Sequence, residues 1–241
     1  MSLVLVEEHG PVVLLRLNRP EKLNALSTAL EVELDRAVGD ERVRAAGAVV
    51  FAGSERAFSA GADLGEVAEA GAADALAYYR DTGRVYERIA ALPQPTIAAI
   101  RGWCLGGGFE LALACDFRIA DRAATFGLPE VEIGILPSSG GTMRLVTAIG
   151  AARAKELILL RRRVPAASLA EMGLVSEVVD GDPEPRALSV AAELAALPRL
   201  AVELAKKAAD AAQDASREAG ILIEQLAYAA LAEAGGPQPE A

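Results

Sequence analysis

Residues 101–111 read Arg101-Gly102-Trp103-Cys104-Leu105-Gly106-Gly107-Gly108-Phe109-Glu110-Leu111. The chain leaves a strand predicted over Thr96–Ile100, passes three glycines and enters an apolar helical segment. Glycine adopts torsions closed to other residues and lets a second backbone or a ligand come close. N–H groups without intrahelical partners gather at the helix start with a partial positive charge, which would stabilise a developing oxyanion. Two readings stand side by side: the triplet serves tight strand-to-helix packing, or it presents amides to a negative group. It does not fit a nucleotide loop. Gly106, Gly107 and Gly108 lack the later glycine of the dinucleotide fingerprint, and no Gly-Lys-Ser/Thr follows them.

Working outward, Pro93 and Pro95 punctuate the entry to the Thr96–Ile100 strand, and another short strand is predicted at Asp116–Ala120. Ala48–Phe51 is a compact buried strand, and helical character runs from Ala73 to Leu92. At the N-terminus, Leu3–Val6 and Val12–Leu17 flank Glu7-Glu8-His9-Gly10-Pro11 in the pattern of a hairpin. Thr28 and Glu31 predict a capping box for a helix whose Leu30, Leu34 and Val38 share a face. Strands separated by helices imply an α/β arrangement, mostly parallel, with right-handed crossovers. After about Gly140 the chain turns rich in Ala, Leu, Glu, Lys and Arg, broken by prolines, which predicts successive helices with one short strand near Val178. Gly235-Gly236-Pro237-Gln238-Pro239 reads as a disordered tail.

Composition removes several function classes. Of 241 residues, 24 are Lys or Arg and 34 are Asp or Glu, for a net charge of −10, and 52% are apolar. A pI of about 4.8 argues against nucleic acid, where affinity rests on cations neutralising phosphates. His9 is the only histidine, in a turn-like stretch, so Ser-His-Asp and Cys-His mechanisms lack their base and structural zinc lacks ligands. Cys104 and Cys115, both in apolar surroundings, read as small buried hydrophobes of a reducing compartment. The N-terminal MSLVLVEEHG has no basic region ahead of a long apolar run, and no membrane-spanning stretch is present. A cytoplasmic location with no membrane partner is expected.

With histidine set aside, carboxylates and backbone N–H groups remain. Phe58-Ser59-Ala60-Gly61-Ala62-Asp63-Leu64 is a second place where small residues around a glycine expose main chain. Glu110 lies in the first turn of the helix after the triplet, and Glu130 follows 20 residues later in Gly127-Leu128-Pro129-Glu130-Val131. Each has an ordinary explanation, as a dipole-stabilised or a solvated glutamate. Together they can divide acid and base work on one water, provided their environments separate their pKa values. Glu132 faces the other way if this piece is extended, and serves as the control.

These segments, in this order, resemble the crotonase family, the enoyl-CoA hydratase/isomerase superfamily. The resemblance rests on Asn18-Arg19-Pro20-Glu21-Lys22-Leu23-Asn24-Ala25-Leu26, residues 57–64, residues 102–116, and residues 126–145 from Phe126-Gly127-Leu128-Pro129-Glu130 to Gly140-Gly141-Thr142-Met143-Arg144-Leu145. It covers about residues 3–230. The resemblance implies a spiral of ββα units over residues 1–180, holding an acyl-CoA site. A helical region over 181–241 would support trimerisation, with a tail from about residue 235. It implies a homotrimer or a dimer of trimers. It also implies that the amides of Ala62 and Gly107 form an oxyanion hole, and that Lys22, Leu23, Ala25, Ala60, Asp63 and Leu64 contact CoA. Hydratases of the family carry carboxylates where this chain has Glu110 and Glu130. The expected reaction is therefore addition of water to a trans-2-enoyl-CoA, with CoA arriving in the substrate and no metal or other cofactor. Other family reactions (isomerisation, decarboxylation, thioester hydrolysis) and acyl-CoA binding without turnover are the alternatives. Ser138-Ser139, Met143 and Trp103 depart from common family residues and are expected to alter the loop around the acyl group. The family's further C-terminal segment, which closes the CoA site, is absent before Ala241.

Overall fold

A computed structural model describes residues 2–69 and 84–236. Strands β1 (Val4–His9) and β2 (Val12–Leu17) form the expected hairpin, antiparallel, with Val4 opposite Leu17 and His9 opposite Val12. Six further strands follow in alternating destinations. β3 (Ala48–Ala52), β5 (Thr96–Ile100) and β7 (Phe117–Asp121) join the large sheet, while their successors β4 (Ala57–Ser59), β6 (Trp103–Leu105) and β8 (Thr125–Gly127) form a smaller one. The large sheet has the order β1-β2-β3-β5-β7-β10, parallel from β2 onward, with β10 at Glu177–Val179. The smaller has the order β4-β6-β8-β9 and ends on the antiparallel pair of β8 with β9 (Val164–Pro165). This stepping between two sheets is the spiral of an α/β chain. Strand β9 is too short for periodicity to reveal.

Helices cover the faces. α1 (Thr28–Val38) turns Leu30, Leu34 and Val38 inward, as their spacing predicts. Its cap lies one residue earlier than expected. Ser27 is extended and its Oγ accepts from Leu30 N at 3.3 Å. That shift moves Glu31 past the capping position and into the core, where it accepts a hydrogen bond from Tyr86 at 2.7 Å. Thr28 instead donates through both N and Oγ1 to Glu66. α2 (Glu41–Ala45), α3 (Leu64–Glu69) and α4 (Arg84–Ala90) follow. Part of the helical stretch expected over 73–92 lies outside the described residues, as does the end of the expected tail from residue 237.

α5 (Gly107–Ala114) is buried on nearly every side and, Glu110 apart, carries no polar side chain. Phe109 meets Phe126 edge to face at 5.3 Å between ring centres. Cys104 and Cys115, at its two ends, are buried free thiols, and burial pushes the Cys115 pKa up to about 12. Beyond α6 (Gly141–Leu159) and α7 (Ala166–Glu171), α8 (Glu184–Ala195) lays Ala187 and Ala191 on β3 and β5. α9 (Arg199–Ala211) and α10 (Arg217–Glu233) contact one another and have no buried residues. No helix among the described residues is long and apolar enough to cross a membrane.

Candidate active site

The two glycine-bearing segments singled out in the sequence meet. A β-carbon on Gly61 would stand 2.9 Å from Leu105 O, and one on Gly106 would stand 3.0 Å from Glu130 Oε1 and 3.6 Å from Gly61 Cα. The three glycines divide the two readings between them. Gly106 has φ 51° and ψ −128°, a conformation closed to side-chain-bearing residues, and turns the chain from β6 into α5. Gly108 serves packing, because a methyl there would strike Ser59 Cβ at 2.6 Å. A β-carbon on Gly107 would stand 3.1 Å from Leu26 Cδ1, 3.4 Å from the Tyr86 hydroxyl and 3.8 Å from the Ala62 nitrogen. Ala62 N and Gly107 N make no hydrogen bond with the described residues, whereas the flanking Asp63 N donates to Leu26 O at 3.0 Å.

The first motif locks onto the second. Ala60 N donates to Leu23 O at 3.0 Å, and Leu26 N to Gly61 O at 2.8 Å. Sequence reading passed over the residue that organises this junction, Asn24. Its buried side chain accepts from Arg19 N and donates to the carbonyls of Ala57 and Phe58. Leu23 and Asn24 both take left-handed torsions, φ 52° and 53°, a conformation for which asparagine is a favoured side chain. An asparagine in a turn-rich stretch was the available signal. Lys22 ends a short 3-10 turn (Pro20–Lys22), Ala25 O accepts from Arg19, and Leu64 is well exposed. Asp63 is engaged within the protein, paired with Arg19 at 2.6 Å and accepting from Gly65 N; the Arg19 hydrogen bond is the main reason its pKa is lowered.

Glu110 and Glu130 are both buried and differ in their partners. Glu110 Oε1 accepts from Ser139 N at 2.8 Å and from Gly141 N at 2.9 Å. Gly141 is required there, since a methyl would come within 2.5 Å of Glu110 Cγ. Burial raises the Glu110 pKa, while the Gly141 and Ser139 amides and the charge of Arg144 pull it back. Neither oxygen of Glu130 finds a hydrogen-bond partner among the described residues. Burial, with the charge of Glu110 adding to it, carries the Glu130 pKa up to about 7. The cost of desolvating its charge, opposed by its own amide, keeps this carboxyl group protonated below about pH 7.

Glu130 opens a 3-10 turn, Glu130–Ile133, and not the extended piece expected. Pro129 at the turn's start and Gly134 at its left-handed end account for the difference. At three residues per turn, Glu132 still points away from Glu130, and it lies half-exposed 3.8 Å from Arg161. His9 ends β1 beside Glu7, at 3.9 Å. Trp103 is partly exposed and carries the Arg163 guanidinium 5.5 Å above its ring. Among the described residues, no three His, Cys, Asp or Glu side chains gather as a metal site. A cleft of about 220 Å³ between Arg16, Ser54, Arg101 and Glu184 lies at the ends of β2, β3 and β5, and neither Glu110 nor Glu130 lines it.

The model of the enoyl-CoA hydratase/isomerase family matches residues 7–234. The chain belongs to that family. Within the crotonase superfamily it is 42% identical over 230 residues to a probable enoyl-CoA hydratase of Rhizobium meliloti, covering 95% of this chain and 89% of that one. It is 38% identical over 238 residues to the 2,3-dehydroadipyl-CoA hydratase of Escherichia coli, covering 96% and 91%. The crystal structure of an enoyl-CoA hydratase from Bacillus anthracis superposes with a TM-score of 0.90 at 38% identity, covering 96% and 91%. The protein is a crotonase-family enzyme, and the parallel spiral seen here is the fold of those relatives.

Proposed function

We propose that the protein is a 2-enoyl-CoA hydratase. The observation that carries this reading is the unequal support of two neighbouring buried carboxyl groups, one gripped by amides and one with no partner. Glu110, whose charged form is supported by backbone amides against the cost of burial, takes a proton from water as the water oxygen bonds to C3 of a trans-2-enoyl thioester. The C2=C3 electron pair moves toward the thioester carbonyl, and the resulting enolate oxygen is held by the amides of Ala62 and Gly107. Glu130, neutral up to about pH 7, gives its proton to C2, and the carbonyl reforms. Proton return from Glu110 to Glu130 through solvent closes the cycle, so one water is added in all.

In the same reading, Lys22, Leu23, Ala25, Ala60 and Leu64 flank the CoA moiety, with Asp63 bracing the loop through Arg19. No further cofactor enters these steps. The enzyme acts in the cytoplasm as a homotrimer or a dimer of trimers. Exposed Leu200, Ile221, Leu222, Leu226 and Tyr228 on α9 and α10 support an assembly in which these helices are covered. The deciding assay is loss of the conjugated-thioester absorbance of crotonyl-CoA with purified enzyme. Hydration that vanishes in Glu110→Gln supports the reading. Conversion to an isomer, a decarboxylated product or free CoA would replace it with another family reaction, and tight binding without turnover would make the protein an acyl-CoA binder.

A further inference from the structure

Arg144 has no part in the proposed steps, yet it sits behind them. It lies in the first turns of α6 with its side chain largely buried. Nη1 donates to Ser139 O at 3.0 Å, and Nη2 donates to Glu87 Oε1 on α4 at 2.7 Å. Ser139 is the residue whose N–H reaches Glu110. One residue therefore receives the guanidinium on its carbonyl and holds the carboxylate with its amide. Gly140, between the two amides, has φ 87°, and a β-carbon added there would strike the Arg144 guanidinium.

We propose that Arg144 is a positioning residue for Glu110: anchored by Glu87, it fixes the 138–141 loop that grips the carboxylate and lends a positive charge that favours its ionised form. This deepens the hydratase reading and rests on it for the role of Glu110. Few ionisable groups face Glu110 among the described residues. Glu130 comes from the 3-10 turn and Arg144 from α6. From α4 come Glu87, paired with Arg144, and Tyr86, bonded to Glu31. Cys104 is the ionisable side chain of β6, its thiol directed to Gly108 O, and β4 carries none. Arg144 is thus the cation in this group, and its charge is among the influences that lower the Glu110 pKa against burial.

Two substitutions separate the clamp from the charge. Arg144→Gln keeps a donor for Ser139 O and removes the charge, whereas Arg144→Lys keeps the charge and loses the fork that spans Ser139 and Glu87. In the pH profile of kcat/KM for crotonyl-CoA, the acid limb reports ionisation of the base. It should move to higher pH by about one unit in Arg144→Gln, and stay within a few tenths of a unit in Arg144→Lys, while kcat falls roughly tenfold in both. An unmoved limb in Arg144→Gln, or equal movement in both variants, overturns the proposal. The carboxyl carbon resonance of Glu110, labelled with carbon-13 and assigned by its loss in Glu110→Gln, gives the same titration without turnover. An inert wild-type enzyme would refute the hydratase reading, and the resonance would still decide on Arg144. Should Arg144→Gln fail to fold, an Arg144→Met titration at reduced temperature takes its place under the same criterion.

Discussion

Two glutamates share one buried neighbourhood and are held by opposite means. Glu110 projects from an otherwise apolar helix into a loop that turns two backbone amides toward it, and the carboxyl oxygens of Glu130, on a 3-10 turn, have no hydrogen-bond partner among the described residues. Burial raises both pKa values, so desolvation alone would give two similar acids. The amides and Arg144 oppose burial at Glu110, and in the proposed reaction this difference makes one glutamate the base and the other the acid. The difference lies in the main chain around each residue.

The strongest way to break this comparison is to neutralise each side in turn. Glu110→Gln and Glu130→Gln should each lower kcat for crotonyl-CoA hydration by about 10³-fold. Equal, small losses would mean that the two do not divide the work. The pH profiles should then differ. Activity of the wild type should fall as pH rises through about 7, where Glu130 loses the proton it donates, and Glu130→Gln should leave a residual rate without that basic limb. Gly141→Ala, which drives a methyl against Glu110 while leaving Glu130 untouched, should cost about 10²-fold in kcat with a smaller change in KM.

Stability sharpens the same contrast in the other direction. The folded pKa of Glu130 is above its unfolded value of 4.5, so the neutral form contributes stability that is complete at acid pH and is lost as pH rises toward about 7. In thermal unfolding, Glu130→Gln should therefore gain Tm over the wild type, by an amount that grows up to about pH 7 and is level beyond it. The smallest effect belongs to Glu132→Gln, which should change kcat/KM by less than about twofold, since its partner is a surface arginine.

Much of the site was legible because its signals are local. Gly106, Glu110 and Glu130 stood out in one pass, and the hairpin and the buried strands followed from apolar runs between turns. The cap of α1 slipped by one residue because Ser27 and Thr28 are both good caps, and only the packing of Glu31 against Tyr86 selects between them. The turn at Glu130 was missed because four residues carry no readable period. Asn24 and Arg144 were missed because the partners that tie them to other elements, Ala57 and Glu87, lie 33 and 57 residues away.

The sequence by itself determined which groups could do chemistry: with a single histidine set aside in a turn-like stretch, these are two glutamates and the glycines where main chain must approach main chain. Backbone torsion and side-chain chemistry are properties of single residues, so they survive in a linear reading. Only the tertiary structure decided which glutamate is gripped and which is left bare. A buried carboxyl group's proton affinity depends on the dipoles and charges around it, and those come from a loop, a helix and a turn that the chain brings together only on folding.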